Sequence, residues 1–158
     1  MRRPFFCLAG AVFILAAAIT VVSVTGCSSM PLGGTASRGR ALYEVSCGAC
    51  HQSDGGGKEG VASPLAGSEW VTGSEGSLLR IALDGVRGPI QVKGKRYQLE
   101  MPALRHVYGD EDMAAILTYI RGAWGNSAPA ITVDSVGKVR SETAQRGDSW
   151  TAEELGSP

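Results

Sequence analysis

The sequence predicts a mostly α domain of three to four helices with one small β-hairpin. Two observations carry this prediction. Apolar residues recur at helical spacing in 38–46, 77–83 and 111–124, whereas a period of two is confined to 90–99. The 158 residues leave room for one domain with an export segment and an irregular tail. Twenty-two glycines make that domain loop-rich and hard to stabilise by burial alone.

The first 27 residues read as an export address. Arg2 and Arg3 precede an almost wholly apolar run from Phe5 to Val24, which leads into Thr25-Gly26-Cys27. A basic start, an apolar centre and small residues before a cleavage point form a secretory leader. Val24-Thr25-Gly26-Cys27 resembles the lipobox of bacterial lipoproteins, in which the cysteine receives diacylglycerol and becomes the mature N-terminus. By that resemblance residues 1–26 are a signal peptide and Cys27 is the lipidation site. The alternative is an uncleaved anchor, since about 20 apolar residues span a bilayer. Either reading places the remainder in the cell envelope, tethered to a membrane and facing the periplasm. Losing Arg2 and Arg3 with the leader leaves 13 basic against 15 acidic groups, a net charge of −2 that excludes a nucleic-acid binder. Residues 27–36, rich in Ser, Gly, Pro and Thr, read as a flexible tether.

Ser37 is the expected N-cap of a first helix over 38–46. That helix delivers Cys47-Gly48-Ala49-Cys50-His51, a C-x-x-C-H run. Two thiols one helical turn apart add to the two vinyl groups of haem, and the adjacent histidine reaches the iron. A zinc half-site would need a second Cys or His pair, and a thioredoxin-like pair would need a βαβ context; neither is present. With Cys27 assigned to lipid and Cys7 inside the apolar leader, no cysteine is left for a disulfide. A covalent cofactor would also supply the core that a small, glycine-rich domain lacks.

A second helix is expected over 77–83, stopped by Asp84-Gly85. Ile90 to Val92, Lys93-Gly94 and Lys95 to Leu99 read as the hairpin, with Ile90 and Tyr97 on one face. Asp110 is the expected N-cap of a last helix over 111–124, whose stripe is Met113, Ile116, Leu117, Ile120 and Trp124. Trp70, Arg80 and Tyr97 carry N–H and O–H groups suited to haem carboxylates. Arg87, Lys93, Lys95, Arg96 and Arg105 gather around Met101 and form a candidate docking patch. Beyond residue 125, 133–143 reads as an amphipathic helix and Thr151-Ala152-Glu153-Glu154 as a capping box. This extension, residues 126–158, either clasps the domain or sits loosely.

Over residues 37–125 the sequence resembles the class I cytochromes c, on Gly39, Leu42-Tyr43, the Cys47–His51 run, Pro64-Leu65, Met101-Pro102 and Tyr119. The resemblance implies a class I cytochrome c fold around one covalent haem c, with the first and last helices crossing at close range. It implies Met101 as the axial ligand opposite His51, with His106 as the rival. It also implies that the Pro64 carbonyl accepts the His51 Nδ1 proton and that Leu65 walls one haem face. A thioether opposite histidine raises the reduction potential.

The stretch 64–71, with Gly88-Pro89-Ile90, Met101-Pro102 and Trp124-Gly125-Asn126, is similar to cytochrome c domains that serve pyrroloquinoline-quinone-dependent sugar and alcohol dehydrogenases. That likeness implies an electron carrier rather than an enzyme, with a periplasmic dehydrogenase as donor and a downstream cytochrome or oxidase as acceptor. The competing expectation is a haem enzyme or gas-responsive protein with an open iron position.

Overall fold

The structure, a computed structural model, describes residues 34–98, 100–156 and 158. The expected leader, the Cys27 lipidation site and tether residues 27–33 lie outside the described residues. In chain order the helices are α1 (Thr35–Ser46), α2 (Gly48–His51), α3 (Glu69–Thr72), α4 (Glu75–Asp84), α5 (Asp110–Gly122), α6 (Val133–Glu142) and α7 (Ala152–Leu155). The strands are β1 (Val86–Arg87), β2 (Ile90–Val92), β3 (Lys95–Tyr97), β4 (Glu100–Met101) and β5 (Trp150–Thr151).

Helix boundaries follow local chemistry. Ser37 is no N-cap: its hydroxyl donates to the Gly34 carbonyl at 2.8 Å, which satisfies it inside the first turn of α1. Ser74 caps α4 by accepting from the Ser77 N–H, so that helix starts two residues before its expected first residue. Asp110 belongs to α5 rather than capping it, because its carboxylate is taken by Arg140. At the other end α5 stops at Gly122, since Trp124 and Gly125 sit at positive φ (53° and 85°) and turn the chain away.

The core lies where α1 crosses α5. Gly39 meets Ala115 there, and one turn on, Tyr43, Tyr119 and Trp124 pack with ring centroids 5.0–5.5 Å apart. Tyr43, fully buried, joins Leu79, Leu83, Met113 and Ile116 in one cluster. Trp70, Ile81, Val86, Ile90 and Val92 form a second.

The hairpin forms as expected. β2 and β3 pair antiparallel with Ile90 opposite Tyr97, and the intervening Lys93 and Gly94 take positive φ (53° and 73°), the geometry of a twist-matched two-residue turn. A second sheet, in the order β4-β1-β5, was not expected from the sequence. Its strands are two residues each, too short to show alternation.

Residues 126–158 clasp the domain. Ile131, Val136 and Val139 are buried in the cluster that holds Met113 and Ile116. Burial of such side chains contributes about 1.5–3 kcal/mol each. Arg121, 3 % exposed, donates from Nε to the Pro129 carbonyl at 2.8 Å and from Nη1 to the Val71 carbonyl at 3.1 Å. The capping box at the start of α7 is present in both halves.

Candidate functional site

α1 hands directly into the C-x-x-C-H run. The Cys47 N–H donates to the Tyr43 carbonyl at 2.8 Å, and the His51 N–H donates to the Cys47 carbonyl at 2.8 Å, so both cysteines and the histidine share one helical turn. Both thiols are free, Cys47 buried and Cys50 exposed. Burial pushes the Cys47 thiol up.

Past His51 the backbone reverses at Gln52, whose φ is 64°. Three contacts hold this reversal. The Tyr43 hydroxyl donates to the Gln52 carbonyl at 2.5 Å, the Gly57 N–H to the His51 carbonyl at 3.0 Å, and the Trp124 indole N–H to the Ser53 carbonyl at 3.0 Å. The Trp124 ring lies against Gly55, where a Cβ would collide with the ring carbons. Only glycine fits beneath that ring, and its φ of 65° favours glycine independently.

The returning loop reaches the histidine. His51 Nδ1 lies 2.9 Å from the Ser63 carbonyl oxygen. A carbonyl can only accept, so Nδ1 carries the proton and Nε2 keeps its lone pair. Burial pushes His51 below its usual value and so favours the neutral imidazole, while the bond to Ser63 opposes this in part.

His51 and Cys50 line a cleft with about 750 Å³ of empty space, partly open to solvent. Its walls are Ala62, Leu65, Val71, Leu78, Ile81, Val86, Ile90 and Val92, with Trp70 and Tyr97. Met101 and Pro102, from β4 and the following loop, line the same cleft. Asn126, buried, fastens the loop that carries Leu65: its Oδ1 accepts from the Gly67 N–H at 2.8 Å, and its Nδ2 donates to the Leu65 and Ile120 carbonyls at 3.1 and 2.8 Å.

The cytochrome c family model matches residues 36–124, which span the two crossing helices, the C-x-x-C-H turn and Met101. This chain belongs to the cytochrome c family. Among its relatives, the cytochrome c subunit of gluconate 2-dehydrogenase from Pantoea cypripedii is 35 % identical over 120 residues, covering 72 % of this chain and 26 % of the relative. Cytochrome c-552 of Thermus thermophilus is 34 % identical over 123 residues, 70 % of this chain and 82 % of that protein. The cytochrome c subunit of the quinone alcohol dehydrogenase of Gluconobacter oxydans is 29 % identical over 115 residues, 71 % of this chain and 24 % of the subunit. The chain thus spans about a quarter of the dehydrogenase subunits and most of cytochrome c-552.

The cofactor of this cytochrome is one haem c, and the residues fit it. Two free thiols flank one turn, a half-buried neutral imidazole follows, and the cleft beside them is mostly apolar. Several sequence expectations take a different form in the structure. The carbonyl that receives His51 Nδ1 is that of Ser63, one residue before Pro64. Gly57 explains the register: a Cβ there would lie 2.6 Å from the Ala62 oxygen and 2.7 Å from the Pro64 nitrogen, so its absence brings the 62–64 backbone against the histidine loop.

Trp70 lines the cleft, but its indole N–H donates to the Gln91 carbonyl at 2.7 Å and is not free for a haem carboxylate. Arg80 does not line the cleft. Leu78, Ile81 and Ala82 occupy the inward face of α4, so the guanidinium turns to the extension, 3.7 Å from Glu142 and 5.7 Å over the Trp150 ring. Tyr97 and Leu65 do line the cleft, and His106 lies outside it, exposed, in a surface depression with Arg87, Arg146 and Asp148.

The basic residues around Met101 do not form one patch. Arg105 pairs with the buried Asp84 at 2.6 Å, Arg87 pairs with Asp148 at 3.5 Å, and Lys95 pairs with Glu59 at 3.1 Å. Ser63, Asn126 and the Trp124 indole, by contrast, acquire roles that sequence reading did not assign. Trp124-Gly125-Asn126 was noticeable as a motif, but nothing in its residue types says which carbonyls it reaches.

Proposed function

We propose that this cytochrome is a lipid-anchored, periplasm-facing carrier that takes single electrons from a quinone-cofactor dehydrogenase and passes them to a downstream cytochrome or oxidase. The observation that supports this most is that His51 and Met101, 50 residues apart in sequence, line one apolar cleft. In this reading Cys47 and Cys50 would hold haem c covalently, and His51 and Met101 would ligate its iron. Haem c, when bound, takes up and releases one electron at a time.

The chain's own groups set the conditions for that exchange. The Ser63 carbonyl fixes the His51 ring and its tautomer and strengthens Nε2 as a donor. A thioether at Met101 and the aliphatic walls around it would both favour the reduced state. The relatives' names support the donor class, and Cys27 supplies the anchor.

The test is reduction of the membrane-bound protein by a purified quinone-dependent dehydrogenase supplied with its substrate. One electron per protein should arrive at a rate set by dehydrogenase concentration, and Cys27→Ala should leave an uncleaved precursor that takes up no labelled fatty acid while its haem spectrum stays unchanged. No reduction above the dehydrogenase-free rate would remove the donor assignment.

A further inference from the structure

We infer that the C-terminal extension is a brace on the methionine ligand, acting through Asp84, which makes Asp84 and Trp150 positioning residues for Met101. The inference rests on the reading of Met101 as a ligand.

Four sets of contacts converge on the end of α4. The amide N–H groups of Leu104 and Arg105, just past Met101, donate to the Ala82 and Leu83 carbonyls at 3.2 and 3.0 Å. These bonds satisfy carbonyls left open at a helix C-terminus. Gly85, with φ of 82°, lets the Met101 backbone approach so closely that a Cβ would stand 2.5 Å from its oxygen and 3.1 Å from Ser149 Oγ. In the sheet, Val86 of β1 pairs with Met101 on one side and with Trp150 of the extension on the other. The Trp150 backbone N–H also donates to the Gly85 carbonyl at 3.0 Å.

The Asp84 carboxylate then ties the two outer partners together. Its Oδ1 receives the Arg105 Nε–H at 2.7 Å and lies 2.6 Å from Nη2 in the same ion pair, and its Oδ2 receives the Trp150 indole N–H at 3.2 Å. The Asp84 side chain is 3 % exposed and that of Arg105 12 %. Arg105 is held further by the Arg140 carbonyl at 3.1 Å and the Thr143 carbonyl at 3.3 Å, both in the extension. A buried carboxylate that holds an arginine on one oxygen and an indole N–H on the other fixes both partners relative to each other, so it transmits position rather than merely attraction. The residues that complete it, Arg140, Thr143 and Trp150, all lie beyond the 36–124 family match.

A loosened brace should raise the fraction of time in which Met101 is displaced. The test uses the holoprotein and follows imidazole binding to the ferric state, together with the weak red charge-transfer absorption of thioether-bound ferric haem. Trp150→Phe keeps the ring and removes the N–H. It should strengthen apparent imidazole binding by about tenfold, the ratio expected for losing one hydrogen bond to a charged group. Asp84→Asn should act in the same direction and more strongly, and if it fails to fold, Trp150→Phe carries the test. Val136→Ala, a core truncation in α6 one turn before Arg140 that removes none of the network's hydrogen bonds, is the control for general loosening. Equal imidazole binding in Trp150→Phe and Val136→Ala would overturn the brace. Met101→Ala separates the two readings. If it leaves the red absorption in place, the ligand reading fails; if it removes the absorption while Trp150→Phe behaves like Val136→Ala, only the brace fails.

Discussion

Gly39 of α1 touches the backbone of Ala115 in α5: a Cβ on Gly39 would collide with the Ala115 carbonyl and stand 2.9 Å from the Tyr119 Cβ. Neither obstacle is the end of a flexible side chain. The crossing distance of the two helices is therefore set by the absence of one methyl group. Since α1 ends in the C-x-x-C-H turn, the same contact places that turn.

Gly39→Ala should destabilise the holoprotein by about 1–3 kcal/mol or more, the range for overpacking a filled core, even though alanine is the better helix former. Thermal unfolding followed at the haem absorption checks this. An unchanged midpoint would mean that the helices separate at little cost.

Haem attachment should be lost when Cys47 and Cys50 are both replaced by alanine. Thioether bonds survive denaturation, so the readout is haem stain on a denaturing gel. Stain that persists on the double variant would place attachment elsewhere. In the same series His106→Ala should leave the red charge-transfer absorption and the potential unchanged, because His106 is exposed and outside the cleft.

Asn126→Ala should cost about 2–3 kcal/mol, because three backbone partners, the Gly67 N–H and the Leu65 and Ile120 carbonyls, lose their bonds in a buried place. Denaturant unfolding gives the number. A loss below about 0.5 kcal/mol, the size typical of a surface substitution, would show that water replaces the amide freely.

Arg105 and the hairpin cations should separate into two classes. Arg105→Gln leaves Asp84 buried without its charge partner and should destabilise by about 3–5 kcal/mol. Replacing Lys93, Lys95 and Arg96 together by glutamine should leave stability within about 1 kcal/mol, since these side chains are exposed. Donor reduction rates of the triple variant, measured against salt, then report docking alone.

Glu154 gives the acid behaviour of the extension. The Thr151 backbone N–H and the Arg146 guanidinium hold its carboxyl at about 2, below the ordinary 4.5. A carboxyl depressed in the folded state stabilises that state above its unfolded value, and the contribution fades as pH falls through the folded one. Wild type should therefore exceed Glu154→Gln in stability above pH 4.5, with the difference vanishing near pH 2. A difference that stays constant from about pH 6 down to about pH 2 would assign the effect to packing.

Much of the site was readable in one dimension because its chemistry is local. Cys47, Cys50 and His51 share a single helical turn, so their spacing alone encodes their geometry. The hairpin was equally legible, since a Lys-Gly pair between two short runs of alternating polarity leaves few alternatives. Boundaries were less so. Ser37 and Asp110 have the side chains of N-caps, yet a local bond to Gly34 and a distant one to Arg140 claim them instead.

Residue type and short-range spacing by themselves determined that this chain is mostly α and carries one haem-binding C-x-x-C-H turn, because those features depend on neighbours within about one turn of helix. Only the tertiary structure decided that Ser63 rather than Pro64 meets His51, that Arg80 serves the extension rather than the cleft, that Arg105 pairs with Asp84 rather than joining a docking patch, and that the extension beyond residue 125 clasps the domain. Each of those outcomes turns on which of several equally suitable partners lies within hydrogen-bond reach. That distance is set by how loops close across the core, through gaps such as Gly57 and Gly85 that no residue-by-residue pattern encodes.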